Sequence, residues 1–154
     1  MSGTNPFLVL FGALALFAAI LAAILVPLVR WARRATALKV AEIAGELAAA
    51  GERVLVAPAP AVYRGATGDG GLPRARGNGA AALGERRLVV RRLVGAGIEV
   101  KTADIVGVRE DKWFARAYAG QQHVIVQLRD GGELGLFVRD HPAWMSALRR
   151  LTGS

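Results

Sequence analysis

Residues 7–29 read FLVLFGALALFAAILAAILVPLV, 23 positions with no charged residue and no Asn, Gln, Ser or Thr. A helix of that length rises about 35 Å, slightly more than the ~30 Å hydrocarbon core of a bilayer. In lipid every backbone polar group must be paired within the protein, and a helix does this inside one segment. The stretch therefore predicts one transmembrane helix over 7–29. It divides the chain into a short N-terminal segment (1–6), the span, a basic helical connector (30–51) and a β domain (52–154). A cleaved signal peptide would need a basic start, a shorter apolar core and a small-x-small cleavage site. Here MSGTNP has no Lys or Arg, and Arg30-Trp31 follows the apolar run directly.

The flanks set the orientation. No basic residue precedes the span, whereas Arg30, Arg33, Arg34 and Lys39 follow it closely. The positive-inside rule then places the C-terminal side in the cytoplasm and residues 1–6 outside the cell membrane. Trp31 suits the interfacial aromatic belt on the same side. The chain carries 20 Lys and Arg against 12 Asp and Glu, a formal charge of +8. Without Arg30, Arg33 and Arg34 the remainder still holds 17 cations against 12 anions, so the domain is basic in its own right. Anionic phospholipid is the simplest partner for such a surface, and Arg30, Arg33, Arg34 and Lys39 are the first candidates to meet its headgroups. No recognition motif accompanies the charge, which argues against nucleic acid. The chain has no Cys, so disulfides and thiolate metal sites are excluded.

Beyond the span, ATALKVAEIAGELAAA (35–50) is built of helix formers, with Val40, Ile43 and Leu47 at helical spacing and Gly51 placed to end the helix. This predicts a connector that packs partly on the domain. After Gly51 the pattern changes to strands. Val54–Val56 and Ala61–Arg64 read as extended, and Pro58 and Pro60 oppose helix. Residues 65–79, GATGDGGLPRARGNG, read as a flexible loop closed by an Asn78-Gly79 turn, without the spacing of a phosphate-binding loop. Strand-like runs follow at 86–94, 98–102, 105–108, 113–118 and 124–128, with a charged turn expected at 109–112. Asp130-Gly131-Gly132 is a hairpin turn, and Leu134, Leu136 and Val138 form the core face of the returning strand. The chain closes with a helix capped by Asp140, with Pro142 in its first turn and Trp144, Leu148 and Leu151 on one core-facing side.

These elements predict a mainly-β domain behind a transmembrane α-helix: a bent antiparallel sheet or partly open barrel closed by a C-terminal α-helix. The order of elements, GIEVKTADIVGV, the hairpin LRDGGELGLFV and the Trp in HPAWMSALRRL resemble bacterial pleckstrin-homology-like (GRAM-like) domains. VYRG…RARGNGAAAL…RRLVV is similar to uncharacterised bacterial single-pass proteins of that kind. The resemblance covers roughly Arg53 to Leu151 and implies a binding module rather than an enzyme. Relatives that bind phosphoinositides use a K-xn-[KR]-x-R pattern around the first two strands. Arg64 and Arg74-Ala75-Arg76 look similar to it, although the Lys is missing and a Gly-rich insertion intervenes. Arg64, Arg74 and Arg76 are thus further headgroup candidates. Arg86, Arg87, Arg91 and Arg92 form a possible second strip, but alternation lets at most half of them share a surface.

Catalytic chemistry has little to build on. His123 reads as an outward strand residue and His141 as the start of a helix, neither with a nucleophile or metal partner by spacing. Ser146 lacks a nucleophile-elbow context, and Asp104, Asp111 and Asp130 read as solvated strand-end or turn carboxylates. The sequence therefore predicts no catalytic residue, metal or cofactor. It predicts a membrane-anchored interaction module with a protein partner and accessory anionic-lipid contact. A sensor of anionic headgroups through Arg64, Arg74 and Arg76 is the alternative.

Overall fold

The computed structural model describes Pro6–Gly153. A single helix, α1, runs from Pro6 to Ala49, with Pro27 inside it. The chain divides into two compact units, Met1–Ala35 and Thr36–Ser154. In the first, every described side chain from Pro6 to Trp31 is exposed, and the helix is long and apolar enough to cross a membrane. Of the N-terminal segment expected to lie outside, residues 1–5 fall outside the described residues.

The second unit holds seven strands: β1 (Val54–Thr67), β2 (Gly77–Gly84), β3 (Arg87–Arg92), β4 (Ile98–Lys101), β5 (Ile105–Phe114), β6 (Ala117–Leu128) and β7 (Glu133–Val138). A short 3₁₀ turn over Thr102–Asp104 joins β4 to β5, and α2 (His141–Thr152) follows the last strand. All pairings are antiparallel in one half-barrel sheet of order β4-β3-β2-β1-β7-β6-β5. β1 is the hinge of this arrangement, pairing with β2 along its first part and with β7 along its second.

The concave face and α2 enclose the main core, which contains Tyr63, Leu83, Leu88, Val90, Val124, Val126, Leu134, Leu136, Trp144 and Leu148. Leu151 is partly buried against it. The Asp140 carboxylate accepts from the Ala143 N–H at 3.1 Å, and Gly153, in the left-handed region, ends α2. A second apolar layer lies on the other face of the sheet, where Ile43 and Leu47 of α1 are fully buried against Ala80, Ala82 and Val89. This explains why β2 is apolar on both faces and why Val89 of β3 is buried. It also explains how GNGAAALG forms a strand: the helix needs small residues beneath it.

Three expectations are corrected. Asn78-Gly79 is not a turn but the start of the β1–β2 ladder, with Ala61 opposite Gly79 and Val62 opposite Asn78. Residues 109–112 are not a turn either, because β5 continues through them to Phe114. There the Arg109 guanidinium donates to both oxygens of Glu133 at 2.9 and 2.8 Å and to Asp111 at 3.1 Å, which neutralises the charges on the sheet surface. The reversal comes instead at Ala115-Arg116. His123, finally, does not face outward into water: it is fully buried.

Candidate functional site

The arginines singled out by the sequence behave in three different ways. Arg30, Arg33 and Arg34 are exposed, whereas Lys39 pairs with Glu42 at 2.8 Å. Arg64 is the extra residue of a bulge, since Tyr63 faces Leu136 and Gly65 faces Gly135 across β7. Gly65 takes φ +103°, a left-handed value that glycine tolerates, and the bulge re-aims its neighbour. Arg64 consequently lies with its guanidinium 5.0 Å from the Phe137 ring centre and its Nε donating to His123 Nε2 at 3.2 Å. Burial first, then the nearby Arg76 charge, pushes the Arg64 pKa down. Arg74 turns to the Gly68 carbonyl at 3.2 Å and to Asp69 at 3.5 Å. Arg76 is exposed. Arg64 and Arg76 are therefore electrostatic neighbours, while Arg74 is engaged within its own loop.

The second arginine strip is structural. Arg87 and Arg91 share the α1-covered face of β3. Arg87 bonds Glu52 at 3.1 Å and Glu99 at 3.0 Å. The Arg91 Nε donates to Glu46 at 3.1 Å, and its Nη2 is shared between Glu46 and Glu99. The Arg91 hydrogen bond, opposed by burial, holds the Glu99 carboxyl below the ordinary range. Arg92 points to the opposite face, over Tyr63, and donates to the carbonyls of Ala96 and Ala75 at 3.0 and 3.2 Å. Tyr63 O–H donates to the Pro73 carbonyl at 2.6 Å, and burial pushes its pKa up to about 12. Tyr63 and Arg92 thus fasten the Gly-rich β1–β2 loop from below. The sequence reading missed Glu52 altogether. Its buried carboxylate accepts from the backbone N–H groups of Arg86 and Arg87 at 2.8 and 3.1 Å and ties down the β2–β3 turn.

Beside the fastened loop lies a cavity of about 520 Å³ between the β1–β2 loop, β4, the 3₁₀ turn and the β6–β7 turn. Leu72, Val100 and Leu128 give it an apolar lining, and Asp104 and Asp130 stand with Lys101 and Arg129 in its wall, while the Glu99 carboxylate is turned to Arg87 and Arg91 on the other face of the sheet. Arg129 donates to the Ala103 carbonyl at 2.8 Å, and Asp130 accepts from the Gly132 N–H at 2.8 Å. Asp104 and Asp130, read from sequence as solvated strand-end or turn carboxylates, are brought into one wall; Asp111 lies elsewhere, on the Arg109–Glu133 surface. Among the described residues no group of three His, Asp or Glu side chains is placed to hold a metal ion. His141 meets Glu110 at 2.7 Å.

On the outer face of the sheet, His123 stacks on Phe137 with ring centres 4.2 Å apart and faces Phe114 at 6.0 Å. A Cβ on Gly135 would sit 2.6 Å from the Phe114 ring, so only glycine allows that ring to lie there. Beyond Phe114, Trp113 and Tyr118 are cross-strand partners with ring centres 5.3 Å apart. Such a pair stabilises a hairpin by roughly 0.2–1 kcal/mol.

No family model and no curated protein matches this chain. Among solved structures, it is similar to the C-terminal domain of an unknown protein from Leishmania infantum. That likeness covers 68% of this chain and 88% of the other, with 16% identity and a TM-score of 0.49.

Proposed function

We propose that the chain is a non-catalytic, membrane-anchored interaction module. Residues 7–29 cross the cell membrane with the N-terminus outside. A pleckstrin-homology-like unit in the cytoplasm binds a segment of a partner protein, and anionic phospholipid contact is accessory. The strand order, the long shared β1 and the C-terminal helix support the pleckstrin-homology-like reading. The anchor is supported by the exposed apolar surface of α1 from Pro6 to Trp31, because soluble proteins rarely leave so large an apolar surface uncovered.

The make-up of the cavity beside the β1–β2 loop carries the choice of a protein partner. Two carboxylates, Asp104 and Asp130, and two cations surround an apolar lining. A phosphate headgroup calls for converging cations, whereas an apolar side chain with polar neighbours suits mixed walls of this kind. The headgroup-sensor reading would need Arg64, Arg74 and Arg76 to converge. Arg64 is committed to His123 and Phe137, and Arg74 to Gly68 and Asp69.

The test is site-specific photocrosslinking of the full-length protein in its native membranes, with the photoreactive residue at Leu72 or Lys101. A discrete protein adduct is expected from both positions and none from Arg53, which lies beside Arg150 and Leu151 of α2. Adducts to lipid alone at Leu72 and Lys101, or the same protein adduct from Arg53, would overturn the proposal.

A further inference from the structure

The hairpin joining β5 to β6 takes no part in the cavity. Its turn places Ala115 and Arg116, neither of them glycine, at φ 48° and 65°. L-residues adopt this conformation at a cost and keep it where surrounding contacts hold them. Phe114 supplies the hold, being 4% exposed with its ring over Gly135 and beside His123. Neighbouring strand residues point to opposite faces, so burial of Phe114 turns Trp113 outward. Trp113 and its partner Tyr118 are 58% and 57% exposed. The Trp113 backbone N–H donates to the Asp111 carboxylate at 3.0 Å. Lys112 and Arg116 are exposed, and residues 112–122, KWFARAYAGQQ, contain no acid. The result is a held tip that offers two amphipathic aromatic rings and two cations.

We propose that this hairpin tip binds an anionic bilayer interface. Trp113 and Tyr118 would lie at headgroup depth, and Lys112 and Arg116 would pair with lipid phosphates. Indole and phenol rings favour that layer because one end is apolar and the other forms hydrogen bonds. The two cations, with no acid within residues 112–122, are complementary to an anionic surface. The inference rests on the membrane-anchored reading, under which a tethered domain meets lipid at high effective concentration. It moves the lipid contact from the Arg64–Arg76 region to a site that the sequence reading took for an ordinary strand.

Because the chain has no Cys, Ala115→Cys in the full-length protein accepts a single environment-sensitive fluorophore. The labelled protein is reconstituted into vesicles of phosphatidylcholine alone or mixed with phosphatidylglycerol. The expected result is blue-shifted emission and quenching by doxyl lipid in the anionic vesicles, both reduced by salt. Arg116→Ser and Lys112→Ser should each lower the ratio of bound to free tip about 5-fold, and Trp113→Ser with Tyr118→Ser should abolish the signal. Arg116→Ser lies away from the Phe114 contact and keeps the test independent of hairpin folding. The same label at Asp69→Cys serves as the comparison. Equal or stronger quenching at residue 69 would move the contact back to the β1–β2 loop and overturn the inference. A water-like signal at residue 115 in both vesicle types, in protein that resists alkaline extraction, would overturn it and leave the anchor intact. Release of the protein by alkali would overturn both.

Discussion

Arg64 Nε donates to His123 Nε2 at 3.2 Å, so the proton of this fully buried imidazole resides on Nδ1, which donates to the Asp111 carbonyl oxygen at 2.9 Å. The ring is neutral and its two bonds tie β1, β5 and β6 together on the outer face of the sheet. Burial, and secondarily the Arg64 charge, holds its pKa below the ordinary histidine range, against the opposing effect of the Asp111 carbonyl.

The first prediction concerns pH. In the unfolded chain His123 takes up a proton below about pH 6.5, whereas in the fold it resists protonation until lower pH. The unfolded state then binds more protons, and stability is lost as pH falls from about 6.5 towards the folded pKa. Glu99 and Glu133 have depressed pKa values because of Arg91 and Arg109 respectively. Their contribution is present above the ordinary carboxylate range, about 4.3 for Glu, and is lost as pH falls through their lower folded values. Thermal midpoints of the full-length protein should therefore fall in two stages, and His123→Asn should remove only the first. An unchanged upper stage in that variant would exclude His123 as its source.

The second prediction concerns Glu52. Its carboxylate accepts two backbone N–H groups and the Arg87 side chain from a nearly inaccessible position. Glu52→Ala leaves those donors without their partner and should cost about 3 kcal/mol. Glu52→Gln, which can keep the two backbone bonds through its carbonyl oxygen, should cost less. Denaturant titration ranks the three proteins, and an alanine variant as stable as the parent would contradict the role.

The C-terminal turns of α1 supply the third. Ile43→Ala removes a fully buried side chain and should cost about 2–5 kcal/mol. The loss should appear locally, as faster amide hydrogen exchange over Thr36–Ala49 and in β2 beneath it. Exchange that accelerates equally across β5–β7 would show that the helix is not separately docked.

Trp144 carries the fourth. It is 2% exposed in the main core, and Trp144→Ala should cost about 3–5 kcal/mol, much of the ~5–15 kcal/mol that holds a typical domain. An unchanged melting temperature would mean that α2 does not close the half-barrel.

Some of this fold is legible in the sequence because its causes are local. The apolar run of 7–29, the Asp130-Gly131-Gly132 hairpin and the Asp140 cap depend on neighbouring residues. β2 is hidden because GNGAAALG lacks β-branched residues, and its small side chains make sense only under Ile43 and Leu47. β5 is legible over 105–108, and its continuation is hidden because Arg109, in the charged run 109–112, is matched by Glu133, brought opposite it by the sheet. His123 reads as outward by alternation, and it does lie on the outer face. Phe114, Phe137 and Arg64 arrive from three other strands to cover it. The cavity wall is equally non-local, with Asp104 and Asp130 meeting Lys101 and Arg129 only after folding. Alternation did separate Arg87 and Arg91 from Arg92, but their Glu46 and Glu52 partners lie far back along the chain.

Anchoring and sidedness are tested together by one labelling measurement. Asp69→Cys places a single thiol at a fully exposed position of a chain that has no other Cys. The full-length protein is expected in the alkali-resistant membrane fraction. Its thiol should be protected from an impermeant maleimide in intact cells and labelled once the inner membrane is permeabilised. Labelling in intact cells, with the outer envelope made permeable where one is present, would contradict the cytoplasmic placement. Recovery of the protein in the alkaline supernatant would contradict the anchor itself.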